Sequence, residues 1–475
     1  MKKLVKDFFM MVTLLCCFFT VSMVEAKEYN VKNFGAVGDG VKIDSAAIQK
    51  AIDKCNADGG GTVVVPAGNY LSGTILFKDN VTMKLEKGAV ILGSKNFKDY
   101  SNPDFFVDAV KQKRGWCLIG IVDVKNVKII GEGTIDGQGK VFRNPRPFLV
   151  RVVRSENLEI NGVKLQSAGA WCLHLYQSKN VQVKNIAINN LVNGNNDGID
   201  IDSSENILIE NCDIESGDDS VCIKATSPKP TRNVWVKNCR LSSHWGAFKM
   251  GTESMGDFIN ISFTDSVIHN NKGGAMKILS VDGARLENLY INNIKVIDSD
   301  MTLFMRLSNR LNKYREKESR KPGCIRGVKI SNITSETSEK GRLVHPTGII
   351  ISGRNDDDLL IENVQLENIK INLVGDGKVA NVAKIEEITK RKYPEYIYFT
   401  HKAPKGKNAF PAFGIYARHV KNIDFKNIEV IVKKEDERNF IHLENAHKIT
   451  LDNVSTNNGN KDIIVKNDKK EIVID

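Results

Sequence analysis

NVQVKNIAI, residues 180–188, is an asparagine, a short apolar–polar alternation, a second asparagine and another short alternation. The same phrase recurs on both sides. NLEINGVKL starts at Asn157 and NVKIIGEGTIDG at Asn126; NILIENCDI follows at Asn206, NVWVKNCRL at Asn233, NISFTDSVI at Asn260 and NLYINNIKV at Asn288. Looser copies begin at Gly327, Leu359, Asn422 and Lys448. From Asn126 to Asn288 the starts are 31, 23, 26, 27, 27 and 28 residues apart. That is a repeat of near-fixed period, each copy reading as two period-2 strands joined by a polar corner. One copy cannot bury its apolar face alone. Stacked copies pair every strand with its equivalent above and below, so the expected architecture is an all-β parallel β-helix. Asparagine at the corners suits the left-handed conformation and local hydrogen bonds of tight bends.

Ahead of the repeats, Asp44-Ser45 followed by AAIQKAIDKC predicts a capped amphipathic helix that covers the open N-terminal end of the core. Lys2, Lys3 and Lys6 precede an apolar run from Phe8 to Met23, and Val24-Glu25-Ala26 fits a cleavage site. Residues 1–26 therefore read as a secretory signal peptide and residues 27–475 as one solenoid domain of 449 residues, extracytoplasmic, without a membrane span and monomeric. Of nine cysteines, seven lie beyond residue 26, an odd and scattered set without metal-ligand spacing, expected as small core residues. The net charge of +11 favours an acidic partner, but no nucleic-acid module accompanies it. Two charged stretches, 309–321 and 375–411, read as loops over one face.

Carboxylates concentrate in NNDGIDID (195–202) and SGDDS (216–220). Asp197 and Asp218 are 21 residues apart, close to one coil, so the two are expected to stand one above the other at roughly 4.8 Å between backbones, with Asp219 adjacent. Like charges that close disfavour full ionisation and leave a proton for donation. This is what glycoside hydrolysis needs: one carboxylic acid and one carboxylate. Asp200 and Asp202 read as ordinary turn residues. One coil on, His244 and Lys249 fall near the same face; the histidine is placed to bond a catalytic carboxylate or the substrate. Lys277, and after it Arg306, are candidates to bind a substrate carboxylate or hydroxyl. No cofactor and no metal are expected. A polysaccharide lyase stays open as an alternative, with Lys224 or Lys249 as base and the acids holding Ca²⁺. So does a non-catalytic carbohydrate-binding β-helix.

These motifs, with NFGAVGDG (33–40), VVVPAGNYLSG (63–73) and PAFGIYARHVKNI (411–423), resemble glycoside hydrolase family 28, the polygalacturonase and rhamnogalacturonan hydrolase group. The resemblance implies a right-handed, pectin lyase-like parallel β-helix, a pectic substrate and an inverting mechanism. It gives Asp218 the role of general acid and makes Asp197 and Asp219 the pair that activates water. Three positions depart from the family pattern. Asn196 stands for the usual threonine. Ser243-His244-Trp245-Gly246 replaces Gly-His-Gly, and Met276-Lys277-Ile278 replaces Arg-Ile-Lys. The lost arginine removes a bidentate carboxylate clamp, so a rhamnogalacturonan fragment, another pectic oligosaccharide or an exo-acting uronidase all fit, with Arg306 or the 375–411 loop supplying part of the grip.

Overall fold

The structure, a computed structural model, describes residues 27–108, 111–314, 318–339, 346–354, 361–383, 409–466 and 472–474. The segment read as a leader, and residues 384–408 of the 375–411 stretch, lie outside them. Apart from a short antiparallel pair, Phe106–Val107 with Lys113–Arg114, the described strands pair in parallel, coil over coil, as a parallel β-helix. Each middle coil carries three strands rather than the two read from the repeat. One coil is Leu173–Tyr176, Lys179–Lys184 and Ala187–Asn190; the next is Ile199–Asp202, Glu205–Glu210 and Asp213–Ser216. The second and third strands are the repeated phrase. The first escaped notice because both of its faces are buried, so it lacks alternation.

The inward residues of successive coils stack in files, as in Val181, Ile207, Val234, Ile261 and Leu289, and join one continuous hydrophobic core. Cys55, Cys172, Cys212 and Cys239 are buried free thiols, as expected. The corner asparagines explain their own recurrence. Asn180, Asn206, Asn233 and Asn260 have φ of 54°, 59°, 55° and 57°, a region asparagine tolerates better than other side chains. Their amides form a ladder along the axis: Asn206 Nδ2 donates to Asn180 Oδ1 at 2.9 Å, Asn233 to Asn206 at 3.0 Å and Asn260 to Asn233 at 3.0 Å.

At the N-terminal end, helix α1 (Ser45–Ala57) lays Ile48, Ala51, Ile52 and Cys55 on the core. Asp44 does start this helix, through its backbone carbonyl, which accepts from Ala47 and Ile48 N–H at 3.0 Å. Its carboxylate turns the other way and takes the Val37 and Gly38 N–H groups at 2.8 and 2.9 Å, tying the preceding loop to the cap.

Candidate active site

The site is built on the strand that the repeat concealed. Its successive copies are β1 (Leu173–Tyr176), β2 (Ile199–Asp202), β3 (Val221–Ala225), β4 (Phe248–Ser254), β5 (Met276–Ser280) and β6 (Leu303–Leu307), each buried along its whole length. Side chains alternate across a strand, so every second residue points away from the core. Parallel pairing stacks these outward residues into a file of His174, Asp200, Cys222, Lys249, Lys277 and Phe304, beside a second file of Tyr176, Asp202 and Lys224. Asp200 and Asp202 are therefore strand residues, not the turn residues expected.

Asp197, Asp218 and Asp219 sit in the turns that enter β2 and β3. The register Ile199↔Val221 sets a coil of 22 residues, and Gly198 N–H donates to Asp219 O at 2.8 Å. Asp219, not Asp218, is thus the residue stacked on Asp197; the 21-residue reading is off by one. The next two turns present Gly246 and Gly274 at this level. A methyl on Gly246 would lie 2.9 Å from Asp219 Oδ1, so the glycine makes room for the carboxylate.

The three carboxyl groups have unequal surroundings. Asp197 Oδ2 takes a hydrogen bond from the buried Lys224 Nζ at 3.0 Å, and that ammonium also lies 3.2 Å from Asp200 and 3.4 Å from Glu253. It rests 4.0 Å from the centre of a Trp171 ring. Asp219 Oδ2 accepts from Lys249 Nζ at 2.8 Å. Asp218, half-buried, meets a neutral donor, Asn195 Nδ2, at 3.3 Å. Its backbone carbonyl is held by the Ser216 hydroxyl at 2.9 Å and by that of Ser243. Burial, reinforced by Asp197 and Asp219, pushes the Asp218 carboxyl well above the usual range, with Lys249 and Lys224 pulling the other way. Burial also raises Asp197, but Lys224 opposes it strongly. Burial and the Asp197 charge raise Asp200 well above its ordinary value. Asp202 differs: although burial works against ionisation, His174 Nε2 at 3.2 Å and Thr226 Oγ1 at 2.6 Å hold its pKa down. Five acids (Asp197, Asp200, Asp218, Asp219, Glu253) share this region with only Lys224 and Lys249, so full ionisation of the cluster is disfavoured.

The other expected residues are dispersed along the same face. His244 is exposed in the turn before β4, its N–H bonded to Ser216 O at 3.0 Å, next to the Ser243 that pins Asp218. Lys249 is in the site, but committed to Asp219. Lys277 is buried, its ammonium 3.9 Å from the centre of a Trp245 ring. Arg306 is buried on β6, one coil further and two residues beyond the Lys277 file. Glu253, Trp171, Asn195 and Arg146 were missed, and Lys224 was read only as a base. A lysine inside the apolar VCIKA was the one available signal. Arg146 lies in a loop, outside any period; it donates to Asn195 Oδ1 at 2.8 Å, Gln112 Oε1 at 3.2 Å and Gly194 O.

Comparison with known proteins bears on the family and the fold. An exo-poly-alpha-D-galacturonosidase of Dickeya chrysanthemi is 26% identical over 318 residues, 54% of this chain and 52% of the relative, so the match spans about half the length of that protein. An endo-polygalacturonase of Pectobacterium parmentieri is 26% identical over 373 residues, covering 71% of this chain and 86% of the relative. The family 28 exopolygalacturonase of Yersinia enterocolitica superposes with a TM-score of 0.70 at 19% identity, over 89% of this chain and 78% of that one, a likeness of fold. The profile of glycosyl hydrolases family 28 matches residues 55–393, well over half of the sequence, and the chain belongs to that family.

Proposed function

We propose that the chain hydrolyses O-glycosidic bonds of a pectic polysaccharide or oligosaccharide, in the manner of a polygalacturonase, by a single displacement that inverts the anomeric carbon. The observation that carries this reading is the inequality of three adjacent carboxyl groups. Asp197 and Asp219 each accept from a buried lysine, whereas Asp218 meets a neutral amide and is pushed well up. A carboxyl group with a raised pKa is the natural donor, and lysine-bound carboxylates are the natural acceptors. Asp218 gives its proton to the glycosidic oxygen as the bond from that oxygen to the anomeric carbon breaks. A water, deprotonated by Asp197 and Asp219, attacks the same carbon from the opposite face. His244 and Lys277 would contact the sugar from neighbouring coils, with Arg306 further along. The polygalacturonase names of the relatives favour a pectic glycan. The mature protein would be residues 27–475, a single extracytoplasmic solenoid.

β-Elimination is the weaker reading, because it needs an unprotonated base. Lys224 and Lys249 are both ion-paired, and the Lys224 pKa is raised well above its usual value: burial works against this, but Asp197, Asp200 and Glu253 prevail. The test is incubation with a panel of pectic polysaccharides and oligosaccharides, with products identified by mass and by ultraviolet absorbance. Saturated products with inverted configuration, formed in the presence of chelator and lost in Asp218→Asn, are expected. Unsaturated products would sink the hydrolase; a single released monosaccharide would mark exo action.

A further inference from the structure

Asn195 and Arg146 both lie in loops, off the strands that carry the site, yet they form a chain of contacts that ends on Asp218. Arg146 is buried, and its guanidinium has only donors to offer. One N–H goes to Asn195 Oδ1 at 2.8 Å, another to the Gly194 carbonyl and a third to Gln112 Oε1 at 3.2 Å. Because the Asn195 oxygen must face the guanidinium, its amide nitrogen must face the other way, and Nδ2 donates to Asp218 Oδ2 at 3.3 Å. The backbone on both sides of Asn195 is also fixed. Asn193 Nδ2 donates to Gly139 O at 2.7 Å and Gly169 O at 3.2 Å, and Asn196 Nδ2 to Ala168 O and Ala170 O at 3.0 and 2.8 Å.

We propose that Arg146 and Asn195 are positioning residues for the proton donor: Arg146 fixes the orientation of the Asn195 amide, and that amide occupies Asp218 Oδ2 so that the transferable proton sits on Oδ1. The inference rests on the reading of Asp218 as general acid. It has two separable consequences. The first is geometric, since an Asp218 carboxyl free to rotate presents its proton in the wrong direction for part of the time. The second is electrostatic. The charged groups facing Asp218 are Asp197 and Asp219, which raise its pKa, and Lys249 and Lys224, which lower it. Arg146 interacts with Asp218 and Asp197 as well, and its own pKa is pushed down to about 10 by burial and by Arg114. An amide donor and a nearby cation both favour the carboxylate, so removing either moves the Asp218 pKa further up.

The experiment is the pH dependence of kcat and KM on a pectic oligosaccharide for Asn195→Leu, Arg146→Gln and Arg146→Lys, with urea unfolding midpoints recorded alongside. Asn195→Leu and Arg146→Gln are expected to lower kcat about tenfold, leave KM within about twofold and shift the alkaline limb upward by about half a pH unit. Arg146→Lys keeps the charge but not the fork, so it should lower kcat while leaving the alkaline limb in place. Asn195→Leu keeps the test decisive if the Arg146 variants do not fold. An unmoved alkaline limb with unchanged kcat in Asn195→Leu would overturn the proposal, as would losses confined to the unfolding midpoint. Asp218→Asn run in parallel separates the two failures: if it retains turnover, the assignment of the acid is wrong rather than that of its positioners.

Discussion

Replacing Lys224 by methionine gives the sharpest test of how the acids of the site are held. The Lys224 ammonium lies 3.0 Å from Asp197, 3.2 Å from Asp200 and 3.4 Å from Glu253, and all four side chains are nearly inaccessible. Removing one partner of a buried ion pair typically costs about 3–5 kcal/mol, because the remaining charge stays in a low-dielectric setting. Here the protein has an escape: a carboxyl already raised by burial, Asp197 or Asp200, takes up a proton. Relative to its own unfolded chain, the variant's native state then binds about one proton more than the wild type's does, because the lysine proton is held in both states of the wild type. A native state that binds more protons than the unfolded chain loses stability as pH rises, at about 1.4 kcal/mol per pH unit for one proton. Between pH 5 and pH 7 the gap between Lys224→Met and wild type should therefore widen by about 2.7 kcal/mol, read as urea unfolding free energies at the two pH values. The contribution of Lys224 itself has the same sense but a far more alkaline window. Its folded pKa is raised, so in the wild type its stabilisation is fully present below the ordinary lysine pKa and is lost only in strong alkali. Turnover should fall with stability, since a protonated Asp197 cannot accept a proton from water, and the acidic limb of the activity profile should move up. A gap that stays constant from pH 5 to pH 7 would refute the argument and leave Lys224 as a packing residue beside Trp171.

Asp218→Asn should reduce turnover of a pectic oligosaccharide about a thousandfold, yet spare much of it on an aryl glycoside whose leaving group needs no proton; equal losses on both would deny Asp218 the donor's role. Gly246→Ala puts a methyl 2.9 Å from Asp219 Oδ1 and 3.3 Å from Lys249 Cβ, so kcat should drop while the unfolding midpoint moves little. On the amide ladder, Asn206 donates to Asn180 and accepts from Asn233 at φ 59°. Asn206→Ala should cost about 2 kcal/mol, roughly half from two exposed hydrogen bonds and half from the left-handed backbone, whereas Asn206→Gly should cost about 1 kcal/mol. An alanine variant as stable as the glycine variant would mean that the ladder, not the backbone, explains the asparagines.

The parts of this molecule legible from sequence are those in which one residue type answers one repeated constraint. A corner that needs positive φ and an axial hydrogen bond selects asparagine at Asn157, Asn180, Asn206, Asn233 and Asn260, and a half-buried strand beyond it selects alternation. The strand that carries the site answers to two constraints at once, core on one face and cleft on the other. Asp200, Lys224, Lys249 and Lys277 therefore appear as stray polar residues in apolar runs. The stacking of Asp197 was misjudged by one residue because a period of about 27 says nothing about individual coils, and this one has 22. Arg146 was invisible for another reason. It is 49 residues before Asn195 in a loop, and only the folded path of two loops brings the pair together.

Turn length separates what is fixed in the site from what is tuned. The strands on either side of the entry to β2 end at Asn190 and begin at Ile199, leaving eight residues, 191–198. The corresponding entries to β3 and β4 leave only four each, 217–220 and 244–247. In a four-residue turn nearly every backbone group is tied to a neighbouring coil: Gly217 to Asn190 and Asn196, Ser220 to Gly246, His244 to Ser216. Asp218 and Asp219 thus inherit the rigidity of the solenoid, as a reacting group requires when small displacements are costly in rate. The eight-residue loop is long enough to fold back over the acids. It contributes Asn195 to Asp218 and takes its own support from Arg146 and from Gly139 and Gly169. Burial is the leading cause of the raised Asp218 pKa, so the short turn fixes the backbone of the acid while Asn195 of the long loop orients its carboxyl and tempers that rise. Changes in residues 191–196 should accordingly move the pH profile before they move the fold, and changes at the two non-acidic positions of the short turn, Gly217 and Ser220, should do the reverse.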